Sequence, residues 1–545
     1  MYPRTLLPLL ALLAVSACAT DAKPTADTSK TSYYALAKPV LDRRCASCHS
    51  TGGIGPFRLD DYASAKANLT ASLASIAAGR MPPWLPSAAC RTYKYERKIT
   101  AEETAALQKW QAAQTPEGSP ADAPKDVTTV VDAAKVPARA ADLQLKMAEA
   151  YTPDTKSADD YRCFALGSPV DAEKWIAASD VHPGNKALVH HILIFLAFPE
   201  TVGQLQLNDS KDAGPGWTCY GGPGVIPTQT VAAWVPGGLP MVAADKAGVR
   251  LPKGSQLVMQ VHYNTAGKQL GPDTSNVQIW MHDKQPENLI IVQPFANFGI
   301  EIAAGDPLVL TSKTFENTTK KPWTIVSAIG HMHQLGKSIT LTKLDTAGKE
   351  TCLLAIAKWD FGWQQSYPFR DDELVTIAPG EKVRLDCSYD NSAGHQSQVG
   401  KAPVHVTWGE GTADEMCLGY LAHIEPYTPY DGGDPKACLS VPSCASTCTS
   451  GTTMCALTCG AMAGPGCTKC LVQGMFSCTA QSGCPVQTQA AIDCLQVCQK
   501  SGNLAACVPS TCDKPFAALD LCSKPLLAAG VCDPQLTSCG AMGLK

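Results

Sequence analysis

Positive charge is in short supply. The chain carries 45 Lys and Arg against 49 Asp and Glu over 545 residues, a formal net charge of −4. With no basic excess to neutralise phosphates, nucleic acid is excluded as a partner. Charged residues amount to only 17% and apolar residues to 45%, which excludes global disorder and allows a real core. Long hydrophobic runs are also missing. Past the N-terminus none reaches the ~18 residues that a membrane helix needs, so a multispanning protein is excluded. Cysteine is the opposite case, and 25 Cys point to an oxidising compartment. At roughly 150 residues per domain, the length predicts three to four domains.

Residues 1–17, MYPRTLLPLLALLAVSA, pair one Arg with a short apolar stretch and read as a secretion signal. Val15-Ser16-Ala17-Cys18 resembles a bacterial lipobox. The resemblance implies a signal at 1–18, lipidation of Cys18 and a membrane contact through the lipid anchor. An ordinary signal peptide with an incidental Cys is the alternative. Residues 19–32 are polar and form a flexible tether. No Asp stands immediately after Cys18, so the expected location is that of an exported bacterial lipoprotein at the outer membrane or cell surface.

Four regions follow. Residues 33–115 mix helical patterns with Gly/Pro loops, and 116–140 form a linker rich in Pro, Ala and small polar residues. Residues 141–427 hold short β-branched runs split by Gly and Pro, among them LVHHILIF, SQLVMQVHY, TIVSAIGHMH and KVRLDC. That spacing predicts two β-sandwich subdomains, 141–290 and 291–427. Residues 438–545 form a Cys-rich tail with 16 of the 25 Cys. Pairs such as Cys444/Cys448 and Cys455/Cys459 share one helical face, so short helices stapled by disulfides are expected there. Thiolate metal storage competes, but the tail lacks His and dense Cys-x-Cys repeats. The expected fold class is multidomain and mainly β, with a small helical domain in front and a disulfide-rich short-helix tail behind.

Cys45-Ala46-Ser47-Cys48-His49 fits C-x-x-C-H, the attachment motif of haem c. Two thiols add to the haem vinyl groups and the adjacent His binds the iron. A thioredoxin-like redox pair would need a βαβ context, which this segment lacks. Met81, in Gly79-Arg80-Met81-Pro82-Pro83-Trp84, resembles the second axial ligand of small bacterial cytochromes c. Thioether ligation favours electron transfer over oxygen activation. EETAALQKWQAA then reads as a closing amphipathic helix, making 33–115 a cytochrome c domain.

Of the 11 His, those at His190-His191, His262 and His331-Met332-His333 stand in motifs. On a strand, residues i and i+2 face one side, so His331 and His333 can share a metal. His190 and His191 are adjacent and would point apart, unless a bulge or different ring nitrogens bring them together.

The string Gly184-Asn185-Lys186-Ala187-Leu188-Val189-His190-His191 resembles the type II copper, ascorbate-dependent monooxygenases. Further matches follow in that family's order: Ala233-Trp234-Val235-Pro236-Gly237-Gly238, Leu257 to Tyr263, His331 to Lys337, and Asp414-Glu415-Met416-Cys417. Together they cover residues 141–427. The resemblance implies two jelly-roll-like β-sandwich subdomains and two copper ions. One ion, for electron storage, is held by His190, His191 and His262. The other, for O2 and the chemistry, is held by His331, His333 and Met416. The ligand chemistry agrees, since imidazole suits copper in both oxidation states and a thioether favours Cu(I). The resemblance also implies disulfides Cys387–Cys417 and Cys163–Cys219; whether Cys90 and Cys352 bond each other stays open.

The family reaction places one atom of O2 into a C–H bond and releases the other as water. Here the haem domain would donate electrons to the first copper, its tether raising the effective concentration to the millimolar range. The ultimate donor is ascorbate-like or another redox protein. Peptide-amidating members anchor a carboxylate with an Arg, an Asn and a Tyr. This chain has Ile329 and Leu418 at the first two positions and keeps only Tyr420. A small apolar or aromatic substrate is therefore expected. The competing reading is a non-catalytic periplasmic or surface protein that transfers electrons or binds copper.

Overall fold

The computed structural model describes residues 30–427 apart from 52, 126–135, 155–158, 226–227, 245, 266–270, 320, 396–401 and 410, together with a few helical residues between 490 and 519. The lipobox and nearly all of the Cys-rich tail lie outside the described residues. The fold is mainly β and multi-sheeted, with a few N-terminal helices and, among the described residues, three disulfides.

Three α-helices, Lys38–Arg44, Tyr62–Ala77 and Ala101–Ala112, pack over a core of Tyr33, Leu41, Leu69, Leu107 and Trp110. Asp61 caps the second helix by accepting from the Ser64 amide. Thr100 and Glu103 form a reciprocal capping box on the third. Buried Glu103 also accepts from Arg43 and Arg44, which holds the turn that carries Cys45 against this helix. Past the third helix, Pro116 is no free linker: its carbonyl accepts from the Tyr33 amide and the Trp110 indole.

A five-stranded sheet runs in the order Trp217–Thr218, Asp159–Ala165, Gln256–Asn264, Val189–Ala197, Thr228–Trp234. Its central strand, Gln256–Asn264, is buried on both faces even at its polar residues Gln256, Gln260 and His262. It packs over one apolar core with strands of a ten-stranded sheet, Ile194, Met259 and Val261 meeting Ile176, Val249 and Ile279. A four-stranded sheet packs over a second core with the other end of the ten-stranded sheet. The ten-stranded sheet is continuous across the boundary expected near residue 290. Strand Asn288–Ala296 runs parallel to Ala247–Leu251 on one side and antiparallel to Leu418–Pro426 on the other. The polar run 282–288 marks this position in the sequence, but the strand that follows it belongs to one sheet shared by both cores.

The segment 84–97 leaves the helical unit and is stitched to the second β core. Cys90 and Cys352 form a disulfide, which settles the pairing left open above. Pro86 bridges Ile356 and Tyr93 bridges Phe369 in antiparallel register. The Tyr93 hydroxyl donates to the Leu353 carbonyl, and Thr92 donates to the Glu373 carboxylate. The Cys90–Cys352 bond closes a separation of 262 residues, and its loss in Cys90→Ser/Cys352→Ser should lower unfolding free energy by about 2–4 kcal/mol. Urea unfolding, followed by intrinsic fluorescence, measures the shift.

Candidate metal centre

Strand Val189–Ala197 carries the first pair of histidines beside His262 on strand Gln256–Asn264. Val189 pairs with Tyr263 but His191 pairs with His262, so the register slips at His190. That bulge lets two adjacent imidazoles turn toward one point instead of opposite faces. Donor nitrogens of His190, His191 and His262 all lie within 4.8 Å of one another. The Nδ1 atoms of His190 and His262 are 3.3 Å apart. Tyr161, opposite His262 in the neighbouring strand, stacks on its ring at 4.0 Å. Burial, and then the neighbouring His262 and His190, hold His191 well below its usual range, in the neutral form that binds a metal.

The ring of His262 is aimed by a residue the sequence did not single out. Its Nε2 donates to Asp159 Oδ1 at 2.9 Å, which leaves Nδ1 facing the cluster. A carboxylate behind a metal-binding imidazole fixes tautomer and orientation in just this way. Burial works to raise the Asp159 carboxyl, but bonds from His262 and Thr412 outweigh it and bring it down to about 2.

The second group gathers at the end of strand Trp323–His331. His331 is its last residue, and His333 lies in the turn beyond, so strand parity does not bring the two together. Their rings are 5.1 Å apart and perpendicular. The cause is Glu415, fully buried, whose carboxylate accepts from the amides of His333, Leu335 and Met416. One side chain thus gathers the His333 turn and the Met416 backbone. Burial pushes Glu415 up to about 7 even against these bonds. His331 Nδ1 donates to Gln364 Oε1 and His333 Nδ1 to the Asp414 carbonyl, which leaves both Nε2 atoms for a metal. The Trp359 indole donates to the His333 carbonyl. Leu418 pairs with His331 and Tyr420 with Ile329, so Ile329, Leu418 and Tyr420 share the sheet face of His331.

The two histidine groups are neighbours. Phe361 stacks on His190 at 4.8 Å and meets His333 edge-on at 6.1 Å. Thr412 donates to Asp159 through its amide and hydroxyl, so the carboxylate behind His262 also grips the loop before Met416. Burial, reinforced by like charge within and between the groups, brings His331 down to about 3 and His333 to about 4.

Cys45 and Cys48 are unpaired. Burial and then Cys48 push the Cys45 thiol up to about 12, opposite to what a thioredoxin-like nucleophile needs. His49 is buried, and its Nδ1 donates to the Phe57 carbonyl at 2.8 Å, leaving Nε2 open. Two free thiols and an imidazole so oriented fit covalent haem. Met81 follows helix Tyr62–Ala77, its amide donating to the Ser75 carbonyl. Cys163–Cys219 and Cys387–Cys417 are disulfides. Asp159, Gln364 and Glu415 were the supporting residues that sequence reasoning missed. Only Glu415 carried a signal, its place beside Met416.

Residues 309–452 match the copper type II ascorbate-dependent monooxygenase C-terminal domain. A tyramine beta-hydroxylase of Caenorhabditis briggsae is 22% identical over 324 residues, covering 55% of this chain and 50% of that protein. This chain thus spans about half the length of that relative. Among solved structures, the major capsid protein P2 of bacteriophage PM2 aligns with a TM-score of 0.23 at 6% identity, covering 52% of this chain and 98% of that one. The VP2 subviral particle of infectious bursal disease virus aligns at 0.16 and 10% identity, covering 54% and 74%. Overlaps that weak carry no argument.

Asp159→Asn should weaken copper binding at the His190, His191 and His262 cluster by about 10–100-fold, as loss of a partner behind a metal-binding imidazole does. Competition with a Cu(I) chelator reads the change. A second expectation concerns acid. In the metal-free fold His331 and His333 take up protons only near 3 and 4, against 6.5 ordinarily. The unfolded chain therefore binds protons first, and stability falls as pH drops from about 6.5 toward about 3. His331→Gln/His333→Gln should flatten that slope in urea unfolding across pH.

Proposed function

We propose that this chain, a member of the copper type II ascorbate-dependent monooxygenase family, hydroxylates a C–H bond of a small organic substrate with O2. One copper is held by His190, His191 and His262, the other by His331, His333 and Met416. Electrons come through a c-type haem at Cys45, Cys48 and His49. The observation that carries the reading is the convergent triad of His190, His191 and His262, with Asp159 behind it. Copper, when bound, supplies reversible one-electron chemistry and a position for O2.

The chain's own residues do the rest. Asp159, Gln364 and the Asp414 carbonyl each hold one imidazole proton, so that the opposite nitrogen faces the metal position. Burial keeps His191, His331 and His333 neutral at physiological pH. Glu415 fixes the backbone on either side of Met416, whose soft thioether favours the reduced metal. Phe361 stands between the two groups, stacked on His190 and edge-on to His333.

Ile329, Leu418 and Tyr420 form the wall beside His331 and offer no cation to a carboxylate. They support a small apolar or aromatic substrate over a carboxylate-terminated peptide. Tyramine, in the name of the worm relative, belongs to that aromatic class. The haem reading is supported by the unpaired Cys45 and Cys48 and by the bond from His49 to Phe57, with Met81 as second axial ligand. An ascorbate-like reductant or a redox protein would reduce it. The two jelly-roll-like subdomains are supported by two apolar cores, each lined by two sheets. Export is supported by the disulfides Cys90–Cys352, Cys163–Cys219 and Cys387–Cys417, and the lipid anchor at Cys18 with an outer-membrane or surface location by the lipobox-like Val15-Ser16-Ala17-Cys18.

Purified protein should hold two copper ions and one covalent haem, and should consume O2 with formation of a hydroxylated product. Met416→Ile should lower product formation by at least about 100-fold, beyond the loss of an outer partner, while the haem spectrum stays intact. Unchanged turnover would overturn the assignment of Met416. Haem oxidation with no product from any aromatic or aliphatic candidate would make the protein an electron carrier.

A further inference from the structure

We propose that the loop 235–238 is the electron-entry junction of this protein, receiving electrons at Gly237 from the Cys48 edge of the haem and passing them to His191. The inference rests on the haem reading above and adds the place of transfer.

Gly237 lies directly against the C-x-x-C-H turn. A Cβ on it would sit 3.3 Å from Cys48 Sγ and 2.8 Å from Arg97 Nη1. Its φ of +71° is also one that side chains rarely adopt. Both facts call for glycine, and the result is that no side chain stands between this main chain and the sulfur that would carry the haem. Arg97 locks the contact. It is 4% exposed, and its Nη2 donates to the Gly237 carbonyl. A guanidinium comes from solvent into such a place only where it holds something.

From Gly237 the route inward is short. Trp234, three residues earlier, closes strand Thr228–Trp234 and pairs with Ile192, the residue after His191. The contact is held from the other side as well, because Cys90–Cys352 and the Pro86 and Tyr93 bridges pin the segment leading to Arg97. Docking is therefore set by fixed bonds and not by the effective concentration of a tethered domain. The transfer is one electron: haem iron goes from Fe(II) to Fe(III), and copper at His190, His191 and His262 goes from Cu(II) to Cu(I). No bond forms or breaks and no proton moves. An external one-electron reductant returns the haem to Fe(II).

The test is flash photoreduction of the haem in full-length, copper-loaded protein, without O2 or substrate. The reduced haem band should decay at a rate independent of protein concentration, in step with loss of the Cu(II) paramagnetic signal. Arg97→Ala and Gly237→Val should each slow the decay at least about tenfold, the scale of loss that small misplacements bring to geometry-dependent steps, with haem spectrum and copper content unchanged. Wild-type decay rates in both variants overturn the junction while leaving the haem in place. Decay that scales with protein concentration does the same, and needs no variant to fold. Absence of covalent haem, read by the alkaline pyridine haemochrome, overturns the haem reading and the junction with it.

Discussion

Asp159 is the side chain on which the arrangement of this molecule turns. One carboxylate accepts from the imidazole of His262 and from the amide and hydroxyl of Thr412, four residues before Met416. A half-buried anion is costly unless hydrogen-bonded, and these three donors more than offset the cost, since the carboxyl is driven down to about 2. The same charge therefore orients a metal-facing ring and fastens the two β cores where their histidines approach. Glu415 is its counterpart in the other group. It is deeper and less compensated, and its carboxyl stands near 7. Asp159 binds the groups to each other, whereas Glu415 draws one group together from two segments.

The helical unit obeys the same logic of fixed contacts. Its core needs only Tyr33, Leu41, Leu69, Leu107 and Trp110, but the segment after it spends its hydrogen-bonding groups on the second β core. Arg97 then reaches the loop beside the first histidine strand. One short stretch of chain thereby touches both β cores, so the C-x-x-C-H turn has a defined neighbour. Linker length cannot supply that, because a flexible tether sets a concentration and not an orientation.

Much of this was legible in the sequence. The short β-branched runs, the C-x-x-C-H turn and the ordered histidine motifs are local, and local patterns survive folding. The adjacency of His190 and His191 even stated its own condition, and the register slip at His190 meets it. The argument from strand parity at His331 and His333 does not apply, because the strand ends at His331, two residues before His333, whose amide is captured by Glu415. Asp159 and Gln364 left no trace, since a lone Asp or Gln is ordinary until folding sets it behind an imidazole. The boundary near residue 290 was legible as the polar run 282–288, but not that Asn288–Ala296, just after it, joins both cores as a strand of one continuous sheet.

Glycine and carboxylate do opposite work here, and the site needs both. The carboxylates reduce freedom: each fixes a ring or a turn whose conformation would otherwise wander, and so sets which nitrogen meets the metal. Gly237 removes a side chain so that two surfaces can touch. A Cβ there would force Arg97 or Cys48 away and open the contact between the helical unit and the histidine strand. Rigid metal ligands alone would give a site that holds copper but waits on diffusing reductant. On the proposed route, a close backbone contact without rigid ligands would deliver electrons to an ill-defined acceptor. The fold combines them through one strand pair, Trp234 with Ile192, which links the loop that meets Cys48 to the strand that bears His191.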